Sequence, residues 1–118
     1  MNTRLAADIV GATKMDRPEW GAVDPNTRQV YFSLTNNSSR TDENVDKANP
    51  RGPNPHGHII RWTENANDPT ATTFEWNIFL MAGDNSGEFA TGGKDGAGKP
   101  LTDANMFSSP DGLWIDAD

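Results

Sequence analysis

Cysteine is absent from the 118-residue chain, and apolar residues are scarce. Without cysteine, the chain can form neither disulfides nor thiolate–metal bonds within its own residues. Only 34% of the residues are hydrophobic, and no apolar run approaches the roughly 20 residues that a membrane span requires. The first ten residues also lack the apolar core of a signal peptide. We therefore expect no membrane partner.

Basic residues are also in short supply. The chain has 10 lysines and arginines against 17 acidic residues, which gives a formal net charge of -7. Such a surface repels the phosphates of nucleic acids, so we expect cations as partners and no nucleic acid. Glycine (11) and proline (8) are by contrast abundant, which predicts few strands joined by long turns and loops.

Period-two alternation of apolar residues predicts four strands with turn residues between them. The predicted strands are Glu19–Val23, Gln29–Thr35, His58–Trp62 and Thr73–Met81. The apolar residues expected on one face of the last strand are Phe74, Trp76, Ile78 and Leu80. Near the amino terminus, a loosely helical spacing predicts one short helical turn at most, and the whole chain is expected to contain at most one or two helical turns. The fold class is therefore expected to be all-β and antiparallel.

Two stretches of the sequence resemble each other. Pro18–Asp24 and Pro110–Asp116 share, at one constant offset, a proline, an acidic residue, a β-branched residue and a final aspartate. Such a repeat suggests one structural unit that starts twice. Four antiparallel strands per repeat are typical of a β-propeller blade, whose first strand lines the central channel, so Glu19 and Asp111 would converge there. The alternative is a plain antiparallel sheet in which proline–acid pairs simply mark the starts of strands.

The propeller interpretation makes the chain a single partial β-propeller segment, about one blade plus the start of the next. Its parts are a leader (1–14), blade strands (15–82) with an inserted loop (36–57), a second loop (83–108) and the start of the next blade (109–118). The inserted loop is polar and rich in proline, which makes it stiff. It is either a functional loop or a surface flap without a ligand.

Four motifs resemble, in the same order along the chain, the PhoX family of secreted bacterial alkaline phosphatases. The motifs are Gly11–Trp20, Val30–Asn37, Asn49–Ile59 and Ser109–Trp114. The resemblance implies that the chain corresponds to the carboxy-terminal part of a much larger, distorted β-propeller. It also implies a site that holds Ca²⁺ and Fe³⁺ and hydrolyses phosphate monoesters in the periplasm or outside the cell, after export by a signal that this chain does not contain.

The resemblance also implies roles for three residues. Arg17 would contact the phosphate, and Glu19 and Asp111 would be metal ligands. These roles agree with general chemistry, because carboxylate oxygens suit hard cations and an arginine fork matches phosphate oxygens. Arg17 lies two residues before Glu19, so both side chains would point to the same side if that segment is extended. Further ligands, including a cysteine, would come from the rest of the parent protein, so the fragment alone is expected to be inactive.

Other polar residues are expected to have structural roles. Asp16 and Asp116 are weaker metal candidates, because aspartates at such positions more often accept hydrogen bonds in turns. His56 and His58 are expected to be structural histidines at the end of the proline-rich loop. The glycine-rich stretch 92–99 lacks the residue order of a phosphate-binding loop and is read as a solvated loop.

Two functions from different classes remain open at this point. The first is a segment of a metal-dependent alkaline phosphatase. The alternative is a non-catalytic, calcium-stabilised β module for binding or scaffolding. In either case, a blade without its neighbours exposes sheet edges and apolar faces, so we expect the isolated fragment to associate with itself or with the remainder of the parent propeller.

Overall fold

The structure is a computed structural model that describes residues 2–84 and 93–117. Its strands form one antiparallel sheet in the order β1-β2-β3-β4-β5. The strands are β1 (Pro18–Val23), β2 (Val30–Leu34), β3 (His58–Glu64), β4 (Phe74–Met81) and β5 (Lys94–Asp95). The prediction of a mostly β, antiparallel chain is therefore confirmed, and the four predicted strands lie close to their expected bounds.

The described part of the chain contains little helix. Helix α1 (Thr3–Ile9) begins after Asn2, whose side-chain oxygen accepts a hydrogen bond from the amide of Leu5 (3.2 Å). Two short 3₁₀ helices, Asp42–Asn44 and Asn65–Asn67, lie in loops. Helix α1 has seven residues, about two turns, so it is longer than the single short turn predicted near the amino terminus. With the two 3₁₀ helices, the described residues also exceed the one or two helical turns predicted for the chain. Among the described residues, no helix has the length and apolar character needed to cross a membrane.

The loop predicted over 83–108 contains strand β5, which the sequence analysis missed. It pairs with Leu80 and Met81 of β4, but its one basic and one acidic residue offer no apolar alternation to detect. After the strand, the Asp95 side chain accepts hydrogen bonds from the amides of Ala97 and Lys99 (both 2.9 Å) and closes a turn. The described part of the glycine-rich stretch is thus a strand and a turn. Residues 85–92 lie outside the described residues.

A β-bulge in β4 corrects the predicted arrangement of its side chains. Ile60 of β3 pairs with Ile78, whereas Ile59 pairs with Leu80. Phe79 is therefore an extra residue on one strand, and Leu80 lies on the opposite face from Ile78. The single apolar face predicted from alternation ends at this bulge.

The two faces of the sheet are covered differently. What we call the Trp62 face carries four aromatic residues: Phe32, Trp62, Phe74 and Trp76. The ring of Trp62 contacts those of Phe32 and Phe74 at centroid distances of 6.3 and 6.2 Å. What we call the Tyr31 face carries Tyr31 and Phe79, which meet edge to face at 5.0 Å. On this second face, residues 113–115 line a cavity of about 440 Å³ together with residues of β2, β3 and β4.

Among the described residues, polar side chains make up much of the buried interior. The buried apolar residues are Leu34, Ala48, Ile59, Ile60 and Ala82. The buried polar residues are Asp16, Ser33, Thr35, Asn49, Asn54 and His58. The polar set lies where the loop 36–57 meets the end of β2 and the start of β3. Hydrogen bonding therefore organises this end of the sheet, and the candidate site is built on it.

Candidate functional site

Arg17 lies in the turn that leads into β1. Its φ of 47° is left-handed, which is uncommon for a residue other than glycine, and a residue before a proline normally prefers an extended backbone. The extended segment on which the predicted alignment of Arg17 and Glu19 depended is therefore not present at Arg17. The Arg17 carbonyl accepts a hydrogen bond from the amide of Thr35 (3.1 Å), which ties the turn to the end of β2.

The side chains of Arg17 and Glu19 nevertheless meet. An Nη of Arg17 lies 3.4 Å from Oε1 of Glu19, and the other Nη donates to Oδ1 of Asn36 at 3.2 Å. The side chains of Arg17 and Glu19 are 61% and 36% exposed, so their ion pair adds little stability. The pair instead orients a guanidinium group that stays open to solvent, beside a carboxylate.

Ser33 brings the segment of Asp111 beside that of Glu19. The ladder between β1 and β2 is irregular just after Pro18, and there the buried Ser33 hydroxyl accepts a hydrogen bond from the amide of Trp20 (3.0 Å). The same hydroxyl donates to the carbonyl of Asp111 (2.7 Å). The main chain of Asp111 therefore lies one side chain away from that of Trp20, the residue after Glu19. Convergence of the Glu19 and Asp111 carboxylates on a central channel stays a prediction.

Ser109 and Asn36 complete this end of the sheet. Ser109 has a φ of 53°, and its amide donates to the carbonyl of His56 (2.7 Å). The Asn36 side-chain amide lies 3.4 Å from the Ser109 hydroxyl, while its oxygen accepts from Arg17. Asn36 thus links the two repeated segments, a role that the sequence analysis did not assign to it.

Asp16 is not the turn acceptor that the sequence analysis favoured. Its side chain is fully buried. Oδ1 accepts hydrogen bonds from Nδ2 of Asn37 (2.9 Å) and Nε of Arg40 (2.6 Å), and Oδ2 accepts from Nδ2 of Asn54 (2.9 Å). Its amide donates to Oδ1 of Asn49 (3.0 Å). Three residues of the proline-rich loop thus bond to the Asp16 carboxylate and a fourth to its amide, which makes this carboxylate a poor candidate for a metal ligand.

His58 belongs to the same buried network, as expected for a structural histidine. Its Nε2 lies 2.7 Å from the carbonyl of Ala48, so this nitrogen carries the proton and donates. Its Nδ1 accepts from Nδ2 of Asn54 (3.0 Å). The Asn54 amide group thus donates to both His58 and Asp16, while its oxygen accepts from Arg51 (2.7 Å).

Burial is the main influence on the pKa of His58, which lies below its ordinary value of 6.5. Burial penalises the charged imidazolium, and the nearby cations Arg51 and Arg40 act in the same direction. The carbonyl of Ala48 and the charge of Asp16 oppose this shift without reversing it. His58 is therefore neutral at pH 7, in agreement with its hydrogen-bonding pattern.

The side chains of the two remaining candidates, His56 and Asp116, line separate cavities. His56 bonds through Nδ1 to the Ser108 hydroxyl (2.9 Å) and lines an open cavity of about 630 Å³ with Asp84 and Asp103. Asp116 lines the cavity on the Tyr31 face.

The turn predicted after β1 is confirmed by the contacts of Asp24. Its Oδ1 accepts from the amides of Asn26 (2.8 Å) and Thr27 (3.2 Å), and its Oδ2 accepts from the Thr27 hydroxyl (2.7 Å). These bonds, led by that of the Thr27 hydroxyl, lower the pKa of Asp24. Asp24 therefore has a local structural role.

The residue types at the site suit a hard cation, although the described residues do not complete a metal site. Glu19 and Asp111 supply carboxylate oxygens, the donors that Ca²⁺ prefers, but Ca²⁺ takes about six to eight oxygen ligands. Over residues 2–84 and 93–117, no cluster of three or more histidine, aspartate or glutamate residues is placed to hold a metal ion. This chain can therefore offer part of a coordination sphere.

The chain is similar to known phosphatases. The family model described as "Alkaline phosphatase PhoX" matches residues 1–118. A search of curated proteins gave no match. Among solved structures, the chain is similar to Pseudomonas fluorescens PhoX in complex with vanadate, a transition state analogue, at 43% sequence identity and a TM-score of 0.82. The alignment covers 97% of this chain and 20% of that one, so the chain spans one fifth of that protein's length.

Proposed function

Because the chain belongs to the alkaline phosphatase PhoX family, we propose that it is part of a metal-dependent phosphomonoesterase and supplies phosphate and metal contacts to its active site. In this proposal Arg17 contacts the phosphate, and Glu19 and Asp111 are metal ligands. One observation carries the assignment: the Arg17 guanidinium, the Glu19 carboxylate and the main chain of Asp111 gather at one end of β2.

The contacts and exposure of Arg17 support a role in phosphate binding. Its contacts with Asn36 and Glu19 restrain the guanidinium from one side, while more than half of the side chain stays exposed. A guanidinium has five N–H donors in a fixed fork, so two contacts leave donors for two phosphate oxygens. The charge of Arg17 also stabilises the negative charge of a transferring phosphoryl group.

Glu19 and Asp111 would hold hard cations, for which we propose Ca²⁺ and Fe³⁺. Carboxylates are suitable ligands for both, and the two segments that carry them already lie side by side. The chemistry that such ions supply when bound is neutralisation of charge on the phosphoryl group. The further ligands would come from parts of the parent protein beyond this chain, so we expect the chain alone to be inactive.

The architecture proposed for the parent is a β-propeller. Residues 15–82 would form one blade with the inserted loop 36–57, and residues 109–118 would begin the next, after the leader 1–14 and the loop 83–108. This is supported by the position of residues 113–115, which line a cavity on the Tyr31 face instead of extending the sheet at its edge. Blades of a propeller stack face to face around the central channel.

The substrate class is proposed from the family, and the location from the sequence resemblance. Vanadate is named as a transition state analogue in the complex with Pseudomonas fluorescens PhoX, which supports a phosphoryl-transfer reaction for this protein as well. We therefore propose phosphate monoesters as substrates and the periplasm or the cell exterior as the place of action.

The test is replacement of Arg17 by lysine in the complete phosphatase that contains this chain. Lysine keeps the charge but loses the fork, so kcat/KM for a phosphomonoester should fall about 10- to 100-fold while metal content stays the same. The matched control is Arg28→Lys, because Arg28 also has a positive φ but lies in the turn between β1 and β2. Full activity of Arg17→Lys would show that the phosphate contact is assigned wrongly.

A further inference from the structure

The Arg17 turn requires support from outside itself. A left-handed φ before a proline is unfavourable for an arginine, so neighbouring groups must hold it in place. On the carboxyl side, the Thr35 amide bonds to the Arg17 carbonyl (3.1 Å). On the amino side, the adjacent residue is Asp16, whose buried carboxylate accepts three hydrogen bonds. We infer that Asp16 is a positioning residue that holds Arg17 in its phosphate-binding orientation; this inference rests on the proposed function.

The bonding of Asp16 fixes both its side chain and its main chain. Its two carboxylate oxygens accept three hydrogen bonds, from Asn37, Arg40 and Asn54, and its amide donates to Asn49. The side chain is fully buried, so water does not compete for these bonds. A residue held at four points leaves the next residue little freedom to rotate, and that residue is Arg17.

Arg40 also joins the turn to the loop through a second contact. Besides its ion pair with Asp16 (2.6 Å), it donates to the carbonyl of Lys14 (2.8 Å). The Arg40 side chain is 8% exposed, so this pair is shielded from solvent. A buried ion pair is not by itself a source of stability, since its desolvation costs about as much as its attraction gains. Its geometric effect is to clamp the segment that ends in Arg17, which also gives the proline-rich loop a role.

The charge of Asp16 matters because all of its partners donate. Asparagine has the same shape but replaces one oxygen by an NH₂ group. In either orientation of that amide, the NH₂ would face a donor, either Asn54 on one side or Asn37 and Arg40 on the other. Asp16→Asn should therefore shift residue 16, and Arg17 with it, while changing no group that contacts substrate.

The experiment uses the complete phosphatase with three readouts: phosphomonoester hydrolysis, inhibition by inorganic phosphate and metal content. For Asp16→Asn, kcat/KM should fall about 10- to 100-fold, which is the scale expected for a misplaced contact group. The inhibition constant for inorganic phosphate should rise in parallel, and the metal content should stay the same. A destabilised control is Ile60→Val, which trims a buried side chain of β3 and should leave phosphate inhibition unchanged.

A double-substitution cycle separates positioning from general damage. If Asp16 acts through Arg17, the variant with both Asp16→Asn and Arg17→Ala should be no weaker in phosphate inhibition than Arg17→Ala alone. Independent effects that multiply would overturn the inference. If Arg17→Ala itself retains full activity, the proposed function fails. If Arg17→Ala loses activity and Asp16→Asn does not, this inference alone is wrong.

A milder variant, Asn37→Ala, tests the same inference if Asp16→Asn fails to fold. Asn37→Ala removes one of the three donors to Asp16 and leaves the carboxylate with Arg40 and Asn54. We expect a smaller weakening of phosphate inhibition, in the same direction and again absent in the Arg17→Ala background. An unchanged inhibition constant in a folded Asn37→Ala protein would also count against the inference.

Discussion

Arg17 and Ser109 have the same left-handed backbone conformation, with φ values of 47° and 53°, and each directly precedes a proline. The two prolines are those that the repeated sequence pattern aligns. Because this conformation is uncommon for residues other than glycine, its occurrence at both positions is informative. The two repeated segments therefore share a positive φ before their prolines, but only the first continues into a strand, β1, whereas residues 110–117 form none. That one structural unit starts twice stays a prediction.

The first prediction concerns the conformation of Ser109. A β-branched residue tolerates a positive φ poorly, so Ser109→Val should destabilise the chain by about 1–3 kcal/mol, seen as a lower Tm. Ser108→Val is the matched control, because it also loses a hydroxyl but its φ is not positive. Ser109→Gly, which suits the backbone, should cost less than Ser109→Val. Equal Tm values for the two valine variants would contradict the expectation.

The second prediction concerns Glu19 as a metal ligand. Glu19→Gln keeps the shape of the side chain but removes the negative charge that a hard cation needs. In the complete phosphatase, we expect loss of bound metal together with a fall in turnover of several orders of magnitude. Metal analysis alongside phosphomonoester hydrolysis measures both. The control is Glu75→Gln, at an exposed position of β4, which should change neither metal content nor turnover. If Glu19→Gln retains both metal and activity, Glu19 is not a metal ligand.

The sheet could be predicted because alternation has a physical cause. Strands β2 and β3 place apolar residues on covered faces, and β4 does so at its carboxyl end, which leaves a period of two in the sequence. Strand β1 is mostly exposed, and the turn residues that follow it were the better signal. Strand β5 lacks that signal, since Lys94 and Asp95 pair with β4 through their main chains alone. The bulge at Phe79 also leaves no signal in the sequence. Ile78, Phe79 and Leu80 are all apolar, so a regular and a bulged strand would each bury at least one of them.

Only the contacts between residues close together in the sequence could be predicted at the site. Arg17 and Glu19 are two residues apart, so their proximity could be expected from the sequence. Asp16 was undervalued because its partners Asn37, Arg40 and Asn54 lie 21, 24 and 38 residues away in the chain. From the sequence alone, an asparagine in a polar, proline-rich loop is equally consistent with a turn residue and with a buried hydrogen-bond donor. Long-range polar pairing leaves no periodicity, so the structure was needed to reveal the network.

The third prediction concerns self-association through the Trp62 face. Phe74 and Trp76 are 55% and 40% exposed there, beside a cavity of about 490 Å³ lined mostly by apolar residues. Large exposed aromatic residues on one face favour contact with another surface, so the isolated chain should self-associate at high concentration. Sedimentation velocity should show that Trp76→Gln weakens association, whereas Leu5→Gln, on the exposed helix α1, leaves it unchanged. A compact monomer at all concentrations would contradict this prediction.

The fourth prediction concerns the effect of pH on stability through His58. Its pKa lies below 6.5 in the folded chain because of burial, and protonated Nδ1 would face the Asn54 amide donor instead of accepting from it. As pH falls from 7 through 6.5 toward the folded-state pKa, His58 becomes protonated in the unfolded chain but stays neutral in the folded chain. The unfolded state then binds more protons, so stability decreases as pH falls and is fully present above pH 7.

The size of this effect is bounded by the uptake of one proton. In the window just below pH 6.5, the free energy of unfolding should fall by up to about 1.4 kcal/mol for each pH unit. Urea unfolding of the chain between pH 5 and 8 measures this slope, and His58→Gln, which cannot titrate, should remove it. The lowered pKa values of Asp24 and Asp68 act in a separate window, because their contributions are lost only as pH falls below about 4. If His58→Gln retains the full slope between pH 5 and 7, another group is responsible for it and His58 is not the titrating residue.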